Sequence, residues 1–143
     1  MAEFTYNPVQ LINPNQNAIF LTSIPCNKGY VYHRNESGIV ILRGIVNNAC
    51  SNFARYRVTF NGNIAVPTGE TVGPISVALS IDGEAIQTST AIVTPAAVEN
   101  YFNVTSTAYI TVPRGCCFNV GLENVSTIPI NLQNANLVIS REA

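Results

Sequence analysis

The chain predicts an all-β fold, a jelly-roll β-sandwich of about eight to ten antiparallel strands. Three observations predict it. Short runs of β-branched and aromatic residues recur along the 143 residues, separated by Gly, Pro and Asn. Within the runs, apolar and polar side chains alternate with period two. No window of a dozen residues shows the apolar i, i+3, i+4, i+7 spacing of an amphipathic helix.

The strands are expected, in order, at Ala18–Thr22, Tyr30–Arg34, Gly38–Arg43, Ala54–Phe60, Ile75–Ile81, Ala85–Val93, Tyr101–Thr105, Ala108–Val112, Cys117–Glu123 and Asn131–Ser140. In Arg55-Tyr-Arg-Val-Thr-Phe60 the aromatic and aliphatic side chains share one face, with both arginines and Thr59 on the other. Val77-Ala-Leu-Ser-Ile81 and Phe118-Asn-Val-Gly-Leu-Glu123 alternate in the same way. The last strand changes phase. Ile128, Ile130 and Leu132 are in step, then Ala135, Leu137 and Ile139, which predicts a bulge near Gln133-Asn134. Asp82-Gly83 follows the run ending at Ile81 and predicts a type I′ hairpin turn, since both central residues there need φ > 0. Pro95–Val98 reads as one helical turn with Thr94 as its N-cap. Residues 1–17 carry Asn7-Pro8, Asn13-Pro14 and few strand formers, so they are expected to form an N-terminal arm ahead of a jelly-roll domain at 18–143.

Charged residues make up only 10% of the chain, against roughly 25% in ordinary globular domains. The exterior must then be built largely from Asn, Thr, Ser and Gln. Depletion of charge also marks the buried cores of interfaces, and low net charge favours association. Homo-oligomerisation is the expected consequence. The net charge is −1, with one lysine and scattered arginines. No basic stripe exists for phosphate backbones and no patch for anionic lipid, so neither nucleic acid nor membrane is an expected partner. No apolar run is long enough to span a bilayer. The N-terminus places Glu3 where a secretory signal needs positive charge. Synthesis in the cytoplasm without a signal peptide is the expectation.

Catalytic chemistry finds few footholds. His33 is the single histidine and Asp82 the single aspartate, and Asp82 is already used by its turn. A Ser-His-Asp arrangement needs both in one place. Glu36, Glu70, Glu84, Glu99 and Glu123 are dispersed, without a spacing that marks general acid–base work. Gly69–Gly73 lacks the lysine and the following helix of a phosphate loop. His33 with the cysteines lacks the spacing of a structural zinc site. No catalytic residue, metal or cofactor is expected. Tyr30 and Tyr32 read as same-face strand packing, with a small carbohydrate platform made by these two and His33 as the alternative. The Asn-X-Ser/Thr matches at Asn35, Asn103 and Asn124 are expected by chance in so Asn-rich a chain.

Cys26, Cys50, Cys116 and Cys117 all fall at expected strand ends, where disulfides staple loops. Four cysteines allow three connectivities, and sequence does not choose between them. A Cys116–Cys117 bridge would be strained, so bridges from these two to Cys26 and Cys50 are expected. Buried, reduced thiols are the alternative.

The Ala18–Thr22 run, Tyr56-Arg-Val-Thr-Phe60, the Asp82-Gly83 hairpin and the final Ala135-Asn-Leu-Val-Ile139 strand together resemble the globular heads of the C1q and tumour-necrosis-factor class, bacterial exosporium heads included. That resemblance implies a ten-stranded jelly roll, tight trimers and a last strand near the centre. Gly38-Ile-Val-Ile-Leu-Arg-Gly44, Gly62-Asn-Ile-Ala-Val-Pro-Thr68, Gly73-Pro-Ile75, Val93-Thr-Pro-Ala-Ala-Val98, Val112-Pro-Arg-Gly-Cys-Cys117 and Asn134-Ala-Asn-Leu137 resemble small structural proteins of gut bacteria and their phages. The resemblance implies a non-enzymatic virion decoration or fibre-head subunit, with capsid or other virion proteins as partners and the virion or an extracellular particle as its location. No collagen-like Gly-X-Y stalk is present, which disfavours an exosporium role. The rival readings are a receptor- or glycan-binding trimeric head, using loops such as Pro67–Pro74, and the repeating subunit of a bacterial surface filament.

Overall fold

The computed structural model describes residues 2–24, 31–33, 38–44 and 52–142, with the backbone alone for 22–24. Among these residues lie twelve strands: β1 (Ala2–Tyr6), β2 (Gln10–Ile12), β3 (Thr22–Ile24), β4 (Val31–His33), β5 (Val40–Arg43), β6 (Phe53–Ala65), β7 (Ile75–Ile81), β8 (Glu84–Ala85), β9 (Ala91–Val93), β10 (Phe102–Pro113), β11 (Cys117–Asn124) and β12 (Ile130–Arg141). They form two six-stranded antiparallel sheets. The first runs β10-β6-β12-β1-β3, with β2 also on β12; the second runs β4-β5-β11-β7-β8, with β9 also on β7. This is the expected jelly-roll sandwich.

Alternation decides which side chains meet between the sheets. In β6, Tyr56, Val58, Phe60 and Ile64 are fully buried, while Arg55 and Arg57 face out. Leu42, Val77, Leu79, Val120 and Leu122 answer them from the second sheet. Tyr56 also spans the layers, its hydroxyl donating to the Arg43 carbonyl at 2.6 Å.

Residues 1–17 are a correction. The expected arm instead supplies β1 and β2, both paired to β12 of the same chain. Phe4 and Ile12 are core residues. β1 lies between β12 and β3, so it is an interior strand of the sheet. The bulge in β12 explains why β1 and β2 are separate. The β12–β6 register shifts between Gln133 and Asn136, and Asn134 has φ 57°. There the Asn134 N–H donates to Asn7 O at 3.1 Å, in the gap between the two strands.

Other boundaries move for local reasons. The expected Ala18–Thr22 strand lies later, at Thr22–Ile24. The two strands expected on either side of Ser106-Thr107 are one, β10, paired with β6 without a break. Ser106 occupies an inward slot and is 6% exposed; its hydroxyl donates to the Ser89 carbonyl. The expected Ala85–Val93 strand is interrupted by a 3-10 turn at Gln87–Ser89. Buried Ser89 fills the gap: its Oγ accepts the Leu79 N–H at 2.9 Å and donates to Ile86 O at 2.7 Å. Pro95–Val98 forms bends and a turn rather than a helical turn. Asp82 and Gly83 have φ of 52° and 85°, as a type I′ turn requires, between the paired residues Ile81 and Glu84.

Candidate functional site

The outer face of the first sheet is one candidate surface. It follows from strand pleating: every second residue of β10, β6, β12 and β1 points away from the core. Those residues are Asn103, Thr105, Thr107, Tyr109 and Thr111 on β10, and Asn63, Asn61, Thr59, Arg57 and Arg55 opposite them on β6. Gln133, Asn136, Val138 and Ser140 continue the rows on β12, and Glu3 and Thr5 on β1.

Side-chain amides are linked across this face. Asn134 donates to Asn7 through Nδ2. Asn63 Nδ2 donates to Asn134 Oδ1 at 3.1 Å, and Asn103 Nδ2 donates to Asn61 Oδ1 at 2.9 Å and to Asn63 Oδ1 at 3.2 Å. Thr107 donates to Thr59 at 3.3 Å, and Asn136 to Glu3 at 2.8 Å. The arginines sit at one end of the face. Arg55 stacks over the Tyr109 ring at 4.9 Å, and Arg57 pairs with Glu142 at 3.5 Å. On β10, β6 and β12 the middle of the face is left neutral, with the Glu3 carboxylate beside it on β1. Beyond β12, Val9, Leu11, Ile19 and Leu21 are aliphatic side chains 37–59% exposed. No charged residue occurs between Glu3 and Lys28.

The sequence-predicted chemical residues do not converge. Among the described residues no three His, Cys, Asp or Glu side chains gather where a metal ion would sit. His33 is half-buried, its ring 4.9 Å from that of the core residue Phe4. Tyr32 is exposed, one residue along the pleat from His33, so the two point to opposite sides. The alternative platform reading therefore loses one member, and Tyr30 lies outside the described residues. Cys116 and Cys117 are exposed free thiols, whereas Cys26 and Cys50 lie outside the described residues.

Two polar residues carry more structure than the sequence indicated. Asn124, whose Asn-X-Ser/Thr match was expected by chance, is fully buried. Its Nδ2 donates to Ile12 O at 2.9 Å and Ile128 O at 3.0 Å, and its Oδ1 accepts the Ser126 N–H at 2.9 Å. Glu99, at φ 58°, ties the loop before β10 to the Pro67–Pro74 loop. Its Oε1 accepts the Thr68 N–H at 3.1 Å, the Thr68 hydroxyl at 3.2 Å and Asn131 Nδ2 at 3.0 Å. The nearby Tyr101 phenol is pushed up by burial and by the Glu99 carboxylate.

Glu123 is 8% exposed, and burial raises its pKa from the ordinary value of 4.5. The folded chain therefore holds this proton to higher pH than the unfolded chain does. The stability associated with the shift is fully present below pH 4.5 and is lost as pH rises through the raised folded value. Glu123→Gln removes that loss. Thermal melts should show the variant melting above the native chain at neutral pH, with the two converging in acid. A gap of the same size at all pH values would contradict the assignment.

No protein-family profile matches the chain, and no curated protein matches it. Solved structures do. The globular domain of zebrafish complement 1qA protein aligns with TM-score 0.50 and 10% identity, covering 96% of this chain and 94% of that one. The sugar-binding EclA C-terminal domain aligns with TM-score 0.44 and 16% identity, over 94% and 79%. The CBM22-1 xylan-binding domain of Paenibacillus barcinonensis Xyn10C aligns with TM-score 0.36 and 10% identity, over 99% and 87%. The fold is thus a jelly roll like that of the C1q globular head.

Proposed function

We propose that the chain is a non-enzymatic structural subunit that assembles with copies of itself as a trimer and decorates or extends a phage particle. It is made in the cytoplasm and ends in the virion or another extracellular particle, beside capsid or other virion proteins. One observation carries the self-assembly: the longest strands present a broad outer face that is neutral at its centre and bordered by exposed aliphatics. Such a face has little charge to desolvate when a sister subunit covers it. The number three comes from likeness to the C1q head.

Light scattering of the purified chain, reduced and oxidised, should give three times the chain mass. Thr105→Lys combined with Thr107→Lys places two like charges on exposed positions of the neutral part of the face. Exposed substitutions of this kind change folding stability by only about 0.5 kcal/mol. They should weaken assembly by about a hundredfold, because desolvated like charges oppose each other across each contact. A native chain that stays monomeric at high concentration would overturn the reading. Electron microscopy of particles labelled through an added tag tests the virion location.

A glycan- or receptor-binding head is the second reading. The Glu99 hydrogen bonds that hold the Pro67–Pro74 loop in place favour it, since a pre-ordered loop loses less entropy on binding. Glycan-array binding abolished by exchange of that loop would support it.

A further inference from the structure

A cleft of about 400 Å³ opens on the second sheet, away from the proposed assembly face. Ser80 and Gly121, paired across β7 and β11, form its floor. Asn17 and Ile39 wall it on the β5 side of β11, and the Asp82 turn walls it on the β7 side. Asn119 completes the rim. Glycine at 121 is what allows the wall to close over the strand. A Cβ there would stand 2.7 Å from Gly38 O and 3.1 Å from Asn17 Nδ2.

Among its described residues the lining offers a carboxylate and two side-chain amides and no cationic side chain, while the buried Ser80 hydroxyl already donates to Gly121 O at 3.3 Å. Asp82 Oδ1 accepts the Asn119 N–H at 2.9 Å, which leaves the second carboxylate oxygen for a ligand. Asn17 adds an independent sign. The residue is half-exposed, yet its Oδ1 is buried with no hydrogen-bond donor. An acceptor left in that state costs about 1–3 kcal/mol. The other end of the amide, Nδ2, lies beside the cleft floor, 3.1 Å from where a Cβ on Gly121 would stand, so exchange of the two ends is the step that would present the oxygen to a ligand hydroxyl.

We propose that this cleft binds one sugar residue, a neutral polyol whose neighbouring hydroxyls donate to Asp82 and to the turned Asn17 amide. Its C–H face rests on Ile39, which is 43% exposed. Anions are disfavoured because the walls are acceptor-rich. A bare divalent ion needs oxygens gathered at about 2.0–2.6 Å, whereas these groups line a cleft of small-molecule size. The proposal is independent of both the assembly reading and the Pro67–Pro74 reading, since it uses a different surface.

The test is amide-shift titration of the full chain with free glucose, galactose, mannose and fucose. At least one should shift Asn17, Ser80, Gly83, Asn119 and Gly121 together. Asp82→Asn keeps a residue suited to the turn, and Asn17→Ala removes the orphaned oxygen. Each should weaken binding about tenfold. Asn17→Ala should do so without lowering the melting temperature, which separates lost recognition from lost structure. Absence of shifts with all four sugars at tens of millimolar, or shifts that survive both substitutions, would overturn the proposal. So would calcium chloride producing the same shifts at lower concentration.

Discussion

Phe4→Ala should destabilise the domain by about 3–5 kcal/mol, and removal of residues 2–17 should leave no cooperatively folded protein. Phe4 is 1% exposed and belongs to the core cluster. Its strand is bonded on both sides: Phe4 pairs with Leu137 of β12 and with Ser23 of β3. Truncating the ring removes apolar area and leaves a cavity that an interior strand cannot collapse to fill. Deleting the segment does more. It exposes the flank of β12 along both halves and strips the partner from β3. Since small domains have only about 5–15 kcal/mol in total, the truncated chain falls below the threshold. Chemical denaturation of Phe4→Ala and proteolysis of the truncated chain measure the two effects. A truncated chain with a native melting transition would show these residues to be a dispensable arm.

The sequence misread that segment for a physical reason. β1 offers only three inward slots, Ala2, Phe4 and the half-buried Tyr6, and β2 only three residues in all. A period of two cannot be recognised over so short a run, and Asn7-Pro8 and Asn13-Pro14 punctuate it as loops do. Long strands were legible because alternation accumulates: Tyr56, Val58 and Phe60 against Arg55 and Arg57 suffice to orient β6. The Gln133-Asn134 bulge was legible because it shifts the phase of the apolar residues on either side. What failed was reading polar residues that face inward. Ser106 split one strand into two, and Ser89 hid a turn, because each satisfies a partner that only the folded chain brings near.

The candidate surfaces divide in the same way. The scarcity of charge was visible in composition, but its placement was not, since the neutral centre depends on register between β10, β6 and β12. The cleft was invisible altogether. Asn17, Ser80 and Gly121 are far apart in the chain, and their meeting depends on the Ser80–Gly121 pairing and the Asn17–Glu123 bridge.

Gly44→Ala should be among the most damaging single substitutions, although it adds one methyl group. Gly44 follows β5 and lies beneath the turn that joins β10 to β11; its N–H donates to Cys116 O at 2.9 Å. A Cβ built on it would stand 2.0 Å from Pro113 O and 2.9 Å from the Pro113 carbonyl carbon. These are backbone atoms, so no rotamer change relieves the clash. Pro113 is held by pairing with Phe53, and the next residue by the Arg114 N–H donating to Asn52 O at 2.9 Å. Relief requires the turn or the end of β5 to shift, breaking at least one of these bonds. Overpacking costs about 1–3 kcal/mol where neighbours can yield; here the neighbours are backbone on both sides, and the loss should reach the top of that range. Gly73→Ala is the matched control, because no atom lies within 4 Å of a Cβ there. Urea denaturation should show a large fall in midpoint for the first variant and little change for the second. Equal midpoints would mean that the β10–β11 turn yields freely and that Gly44 is not required beneath it.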